Sequence, residues 1–201
     1  MIFENFENIL MDNINNKISE IIKLKTKHNG SLKELLFTNE RYSKQSICIK
    51  IGNYLETAIN KFVDEKYKPT KTLKDAINII RDKQNYDIQI DLIFEKDGVI
   101  YYREVKSNTN LDTEKTKATY KKVTDIEKIL KSMGYNVNSK VLSLRFCNQS
   151  DINGYIKKPF KGTDYFEGYG DFFRIFDINI TEEDWTNIFD KIRNLIHETI
   201  N

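Results

Sequence analysis

Cysteine, proline and histidine are scarce in this chain of 201 residues, which contains only two of each. Cys48 and Cys147 have no CxxC spacing and no neighbouring histidine. This argues against a disulfide framework or a zinc site and is typical of a reducing compartment. With only His28 and His197, the sequence has too few histidines for a metal motif built on histidine. The sequence also lacks a Gly-rich phosphate loop and a GxSxG nucleophile motif.

Long hydrophobic runs are absent as well. No stretch approaches the ~20 apolar residues that a membrane span requires. The acidic, amphipathic residues 1–7 lack the basic and apolar regions of a signal peptide. We therefore expect a soluble cytoplasmic protein with no membrane partner.

Charge of one sign does not dominate, since 32 Lys and Arg face 30 Asp and Glu, for a net charge of +2. Such a balance can still hide local basic patches, so the distribution of charge matters more than the total. The length suits one domain that buries its own core. We predict a single domain over 1–201, with a helical part at about 1–83, a core at about 44–147 and a C-terminal part at 148–201.

Apolar residues recur at three- and four-residue spacing in most of the chain, which indicates amphipathic helices. They predict helices over 2–27, about 44–66 and about 111–133, and a last helix from Thr181 to about residue 200. Ser31 with Glu34 predicts a short further helix, and Thr72 with Asp75 predicts the start of another.

The apolar pattern changes to alternation after Tyr86, over residues 87–94 and again over 99–106, which predicts two strands. Asp97-Gly98 between them is a preferred dipeptide for a type I′ turn, so the strands form a hairpin. A third strand is predicted at about 139–147. The fold class is therefore a mixed α/β (α+β) fold with helices around a small central sheet.

The hairpin register places two acidic residues together. If Asp97-Gly98 is the loop, Asp91 falls opposite Glu104, and directly opposed side chains lie ~4.5–5.5 Å apart. Like charges there are destabilising, so a folded protein needs a compensating cation. Two carboxylates suit Mg²⁺, and Lys106 projects on the same face two residues after Glu104.

Asp91 followed by Glu104-Val105-Lys106 on the next strand resembles the PD-(D/E)xK nuclease superfamily, which includes most type II restriction endonucleases. The resemblance covers about residues 50–146 and implies a restriction-endonuclease-like core. It implies that Asp91, Glu104 and the main chain of Val105 bind Mg²⁺, with Mn²⁺ as a substitute, and that Lys106 positions the attacking water. Glu56 matches a further acidic catalytic residue of many members. Ile90 departs from the pattern, which has proline there.

The function implied is a sequence-specific double-stranded DNA endonuclease of a restriction system. It would act as a homodimer and hydrolyse phosphodiester bonds without a covalent intermediate, with residues 148–201 supplying dimer and DNA contacts. A repair nuclease, resolvase or nuclease toxin with the same site stays open. So does a DNA-binding protein without catalytic activity.

Basic residues near the hairpin predict phosphate contacts, because Lys and Arg supply much of the affinity for DNA. The helix after the hairpin carries four lysines in two pairs, and we expect one pair to face DNA. The pairs are Lys117 with Lys121 and Lys115 with Lys122. Asparagine side chains pair with adenine edges. The aromatic run from Tyr165 to Phe176 is more typical of a core or subunit interface than of base stacking. The predicted DNA-binding residues are Lys115, Lys117, Lys121, Lys122, Asn108, Asn110, Arg145, Lys157 and Lys158.

Overall fold

The computed structural model describes residues 2–27, 44–83, 89–107, 113–152 and 158–200. The chain divides into two compact units, one of residues 1–62 with 182–201 and one of 63–181. The predicted organisation as one domain stays a prediction. The short helix predicted from Ser31 and Glu34 lies outside the described residues, as do Asn108, Asn110 and Lys157.

The described helices and strands follow each other in a mixed α/β order. The helices are α1 (Ile2–Lys27), α2 (Lys44–Lys66), α3 (Lys71–Lys83), α4 (Thr113–Ser132), α5 (Gln149–Ile152), α6 (Tyr169–Arg174) and α7 (Glu182–Ile200). The strands are β1 (Leu92–Lys96), β2 (Val99–Lys106), β3 (Asn136–Ser143) and β4 (Phe166–Gly168). No described helix is both long enough and apolar enough to cross a bilayer.

Helices α1, α2 and α4 match their predictions to within two residues at each end. The start of α3 differs from its prediction, since the Thr70 hydroxyl, not Thr72, accepts a hydrogen bond from the Leu73 N–H. A capping residue must precede the helix, and α3 already begins at Lys71. Thr72 is thus inside the first turn.

The unit of residues 1–62 and 182–201 is built from α1, most of α2, and α7. Phe6 is fully buried in it and packs edge-on against Phe62 and parallel to Trp185, with ring centroids 6.0 Å apart in both pairs. Aromatic contacts of this kind add to the stabilisation from burial itself. Its core is therefore helical and aromatic.

The unit of residues 63–181 contains a four-stranded mixed sheet in the order β1-β2-β3-β4. Strands β1 and β2 are antiparallel, and both β2–β3 and β3–β4 are parallel. The predicted hairpin register is confirmed, because Lys96 pairs with Val99 and Leu92 pairs with Arg103. Asp97 and Gly98 have φ values of 52° and 73°, as a type I′ turn requires.

Two strand ends differ from the predictions. Strand β1 begins at Leu92 rather than at residue 87, and β3 covers 136–143 rather than 139–147. The partner strand accounts for the bounds of β3, because β3 pairs with β2 over the full length of β2, from Val99↔Asn136 to Lys106↔Ser143. Strand β2 continues to Lys106 beyond the Leu92↔Arg103 pair, so the end of the partner strand does not account for the start of β1.

One face of the sheet packs against α3 and α4 and forms the main core. Ile100 and Tyr102 of β2 contribute to it together with Val123 and Ile126 of α4. Because side chains alternate along a strand, Glu104 and Lys106 continue on this same face beyond the core. The helix-covered face of β2 therefore ends in charged residues.

Aromatic rings fill the other side of the hairpin. Phe94 stacks on Tyr101 with centroids 4.9 Å apart, and Phe172 and Phe176 pack against Phe94. Both phenylalanines are buried, and this confirms the core interpretation for that part of the aromatic run. Gly168 ends β4 where an added Cβ would overlap the Cys147 carbonyl, so only glycine fits there.

A buried ion pair lies on the same side as Tyr101. The Arg103 guanidinium donates to both carboxylate oxygens of Glu167, and its Nη1 donates to the carbonyl of Asn138 at 2.6 Å. The two side chains are 1% and 6% exposed. The pair joins β2 to β4 across β3 on this face of the sheet.

Candidate active site

Four charged side chains meet where β2 ends. Asp91 immediately precedes β1, Glu104 and Lys106 project from β2, and Lys122 projects from α4. The Asp91 and Glu104 side chains are 10% and 7% exposed, and those of Lys106 and Lys122 are 26% and 22% exposed. The carboxylates are therefore buried behind ammonium groups that reach solvent.

Asp91 is held by the main chain of the neighbouring strand. The register would place Ile90 opposite Val105, but β1 has not yet begun at that point. The Asp91 carboxylate instead accepts a hydrogen bond of 3.0 Å from the Val105 N–H. The sequence predicts that Asp91 pairs with Glu104 within the hairpin, but Asp91 lies one residue before β1. Its side chain accepts the hydrogen bond that the main chain of a paired strand would otherwise accept from Val105.

Glu104 accepts hydrogen bonds at both carboxylate oxygens. Lys106 Nζ lies 2.7 Å from Oε1, and Lys122 Nζ lies 2.5 Å from Oε2. The Tyr102 hydroxyl donates to the same Oε2 at 2.8 Å. Burial and the Glu104 charge raise the pKa of Tyr102 well above its usual value, so the hydroxyl stays protonated and keeps donating.

Both lysines also contact Asp91. Lys122 Nζ is 3.3 Å from Oδ1 of Asp91, and Lys106 Nζ is 3.7 Å from Oδ2. Each ammonium group therefore bridges the two carboxylates. Two negative and two positive charges balance at this end of the sheet.

The surroundings shift the two carboxyl groups in opposite directions. Burial and the charge of Glu104 raise the pKa of Asp91, against the lysines and the Val105 N–H. Burial also acts to raise the pKa of Glu104, but Lys106 and Lys122 outweigh it, and the net pKa is lowered. Two neighbouring carboxyl groups with opposed shifts are common at functional sites.

Lys122 is predicted from the sequence to contact DNA together with its neighbouring lysines, and its contacts with the two carboxylates are not predicted. A signal was present: Lys122 follows Thr119 by three residues and precedes Ile126 by four, and both are buried. Residues at these spacings share one helix face. Tyr102 was also missed, although alternation places it on the face of Glu104.

Six other predicted site residues belong to the part of the chain that the structure describes. Glu56 is half-buried on α2, in the unit of residues 1–62. Lys121 is exposed and forms an ion pair with Asp125. Lys115, Lys117, Arg145 and Lys158 are exposed. The roles predicted for these residues stay predictions.

The donor atoms fit a hard divalent cation. Among the described residues, no three Asp, Glu, His or Cys side chains gather as metal ligands, so two carboxylates would need a main-chain partner. A strand residue points its N–H and C=O to the same edge. Because the Val105 N–H points to Asp91, the Val105 carbonyl faces that edge too. Mg²⁺ accepts such oxygens and keeps several waters.

Comparisons with protein-family models, with curated proteins and with solved structures give no match.

Proposed function

We propose that this protein is a Mg²⁺-dependent DNA endonuclease whose catalytic residues are Asp91, Glu104 and Lys106. The observation that carries the proposal is the pair of buried carboxylates bridged by Lys106 where β2 ends. The order helix, hairpin, helix and parallel strand supports a restriction-endonuclease-like core. It is the order that the resemblance to PD-(D/E)xK nucleases implies.

The residues divide the chemistry of phosphodiester hydrolysis among them. Asp91, Glu104 and the Val105 carbonyl would hold Mg²⁺, whose chemistry is charge neutralisation at the phosphate and a lower pKa for the attacking water. The Tyr102 hydroxyl and the Val105 N–H fix the orientation of the two carboxylates. Lys106 places an ammonium group beside the carboxylates, where it would orient the water and offset charge on the phosphate.

Incubation of the protein with supercoiled plasmid DNA and Mg²⁺ tests the proposal. We expect cleavage that chelation of the metal abolishes, and sequencing of the fragment ends gives the specificity. One fixed sequence at every end supports a restriction enzyme, whereas ends at branches or lesions support a repair or resolvase activity. Intact plasmid with Mg²⁺ and with Mn²⁺ would contradict the proposal.

Lys115 is the α4 lysine that we expect to contact DNA beside the site. An α-helix turns about 100° per residue, so Lys115, seven residues before Lys122, lies only about 20° from it in projection. In the same projection, Lys117 and Lys121 lie about 140° and 100° from Lys122. We expect Lys115→Ala to weaken binding to all duplexes and to lower the salt slope of log K by ~0.9.

Lys117→Ala is the matched control, because it removes the same charge from the same helix. Titration of a labelled duplex in the presence of Ca²⁺ at several salt concentrations measures both variants. A larger loss for Lys117→Ala than for Lys115→Ala would place the DNA on the other side of α4.

A second active site is needed to cut both strands of a duplex, and we propose a symmetric homodimer for this reason. Light scattering of the free protein and of its complex with duplex DNA measures the assembly. We expect two chains per duplex. One chain per duplex, with nicked rather than linear plasmid as the product, would contradict the dimer.

A further inference from the structure

Lys122 contacts the two carboxylate oxygens on one side of the cluster. Its Nζ lies 2.5 Å from Oε2 of Glu104 and 3.3 Å from Oδ1 of Asp91. Lys106 contacts the other oxygen of each carboxylate, Oε1 and Oδ2. The two ammonium groups thus divide the four oxygens between them.

A magnesium ion and the Lys122 ammonium group compete for the same oxygens. Mg²⁺ binds oxygen at about 2.0–2.1 Å with nearly octahedral geometry. An ammonium group a hydrogen-bond length from the same Oε2 and Oδ1 leaves little space for that ion and repels its charge. Metal binding on this side therefore requires Lys122 to move away.

The carboxylates keep fixed donors when Lys122 moves. Oε2 of Glu104 retains the hydrogen bond from the fully buried Tyr102 hydroxyl, and Asp91 retains the one from the Val105 N–H. The Lys122 side chain is 22% exposed and comes from a helix rather than from the hairpin. Its flexible stem gives the ammonium group a path to water without a change in the strands.

We propose that Lys122 is an exchangeable counter-ion of the carboxylate pair, which stabilises the metal-free fold and lowers the affinity of the site for divalent metal. This inference rests on the proposed metal-dependent function. It deepens that proposal by giving the site a built-in competitor for its metal. A higher metal concentration is then needed before the site is occupied.

Replacement of Lys122 by methionine tests the exchange, because methionine keeps an apolar stem and removes the charge. We expect the Ca²⁺ dissociation constant of Lys122→Met to fall by about tenfold or more, the size by which one nearby charge shifts proton affinity at a carboxylate. Isothermal calorimetry with Ca²⁺ alone measures it. We also expect a lower Tm without metal, and recovery when Ca²⁺ is added.

Lys121→Met is the matched control, since Lys121 is the neighbouring lysine and pairs with Asp125 instead of the cluster. Its Ca²⁺ affinity should equal that of the wild type. An unchanged or weaker Ca²⁺ affinity in Lys122→Met would overturn the counter-ion role and leave the nuclease proposal standing. Absence of Ca²⁺ and Mg²⁺ binding in the wild type and in Lys122→Met alike would overturn both.

A measurement on the wild-type protein covers the case in which Lys122→Met does not fold. The lysine NH₃⁺ signals in a ¹⁵N spectrum report ammonium groups held in ion pairs, and Lys122→Arg assigns the signal of Lys122 while retaining its charge. We expect addition of Ca²⁺ to move or broaden this signal while those of the exposed lysines stay unchanged. A Lys122 signal that ignores saturating Ca²⁺ would overturn the proposal.

Discussion

Asp91→Asn and Glu104→Gln should each reduce plasmid cleavage by about 10³-fold or more. Both substitutions keep the shape of the side chain and remove its charge, so they weaken the hold on the metal. A metal supplies several kcal/mol of transition-state stabilisation, and about 4 kcal/mol corresponds to about 10³-fold in rate. Initial rates of conversion of supercoiled to linear DNA, with Mg²⁺ near saturation, measure the loss.

Lys106→Met separates catalysis from metal binding. It should lose cleavage to a similar degree but keep Ca²⁺ binding, since lysine donates no metal ligand. Circular dichroism of all three variants checks that the helices and the sheet remain. Near wild-type cleavage by Asp91→Asn or Glu104→Gln would remove these residues from the active site.

The two carboxylates differ in what they contribute without metal. The lowered pKa of Glu104 means that its ionised form stabilises the fold at neutral pH, and this contribution is lost as pH falls through that lowered pKa. The raised pKa of Asp91 has the opposite effect on stability, because the ionised form of Asp91 is disfavoured in the fold. Protonation of Asp91 as the pH falls therefore offsets part of the stability that is lost at Glu104. Metal-free Glu104→Gln should therefore unfold at a lower temperature than Asp91→Asn.

Arg103→Met should lower the free energy of unfolding by about 3–5 kcal/mol, because it leaves the Glu167 carboxylate buried without its partner. Both side chains are almost fully buried, and Arg103 also satisfies the Asn138 carbonyl. Urea unfolding followed by circular dichroism measures the change. The effect on stability should exceed that of any exposed lysine in the same sheet or helices.

Lys131→Met is a control for loss of a positive charge, since Lys131 pairs with Glu127 on the surface of α4. Such pairs contribute about 0.3–0.5 kcal/mol. The double variant Arg103→Met with Glu167→Leu should recover most of the stability, because it removes both buried charges together. Equal losses in Arg103→Met and Lys131→Met would show that the buried pair contributes no more than a surface pair.

Features that depend on near neighbours could be predicted from the sequence. The spacing from Phe6 to Leu10 and Ile14 gives the buried face of α1, and all three are fully buried. Asp97-Gly98 gives the turn, and the turn fixes the pairing of every residue in β1 with β2. The positions of Glu104 and Lys106 follow from that pairing.

Features that depend on distant residues could not be predicted in the same way. Glu167 lies 64 residues after Arg103, and nothing in either local pattern links them. The rotation of α4, which brings Lys122 rather than Lys117 or Lys121 to the carboxylates, depends on how Val123 and Ile126 pack on the sheet. The start of β1 at Leu92 could not be predicted either, because the alternation runs from residue 87 to 94 with no break at that point.

All four charged groups of the cluster come from one continuous segment, residues 91–122. Short segments close their loops at a lower entropic cost than long ones, so we expect these contacts to form earlier in folding than those that join distant strands. The hairpin and the helix that follows it can therefore bring the carboxylates and lysines together before β4 joins the sheet. In that order of assembly, the ion pairs of the cluster would stabilise the packing of α4 on the hairpin before the sheet is complete.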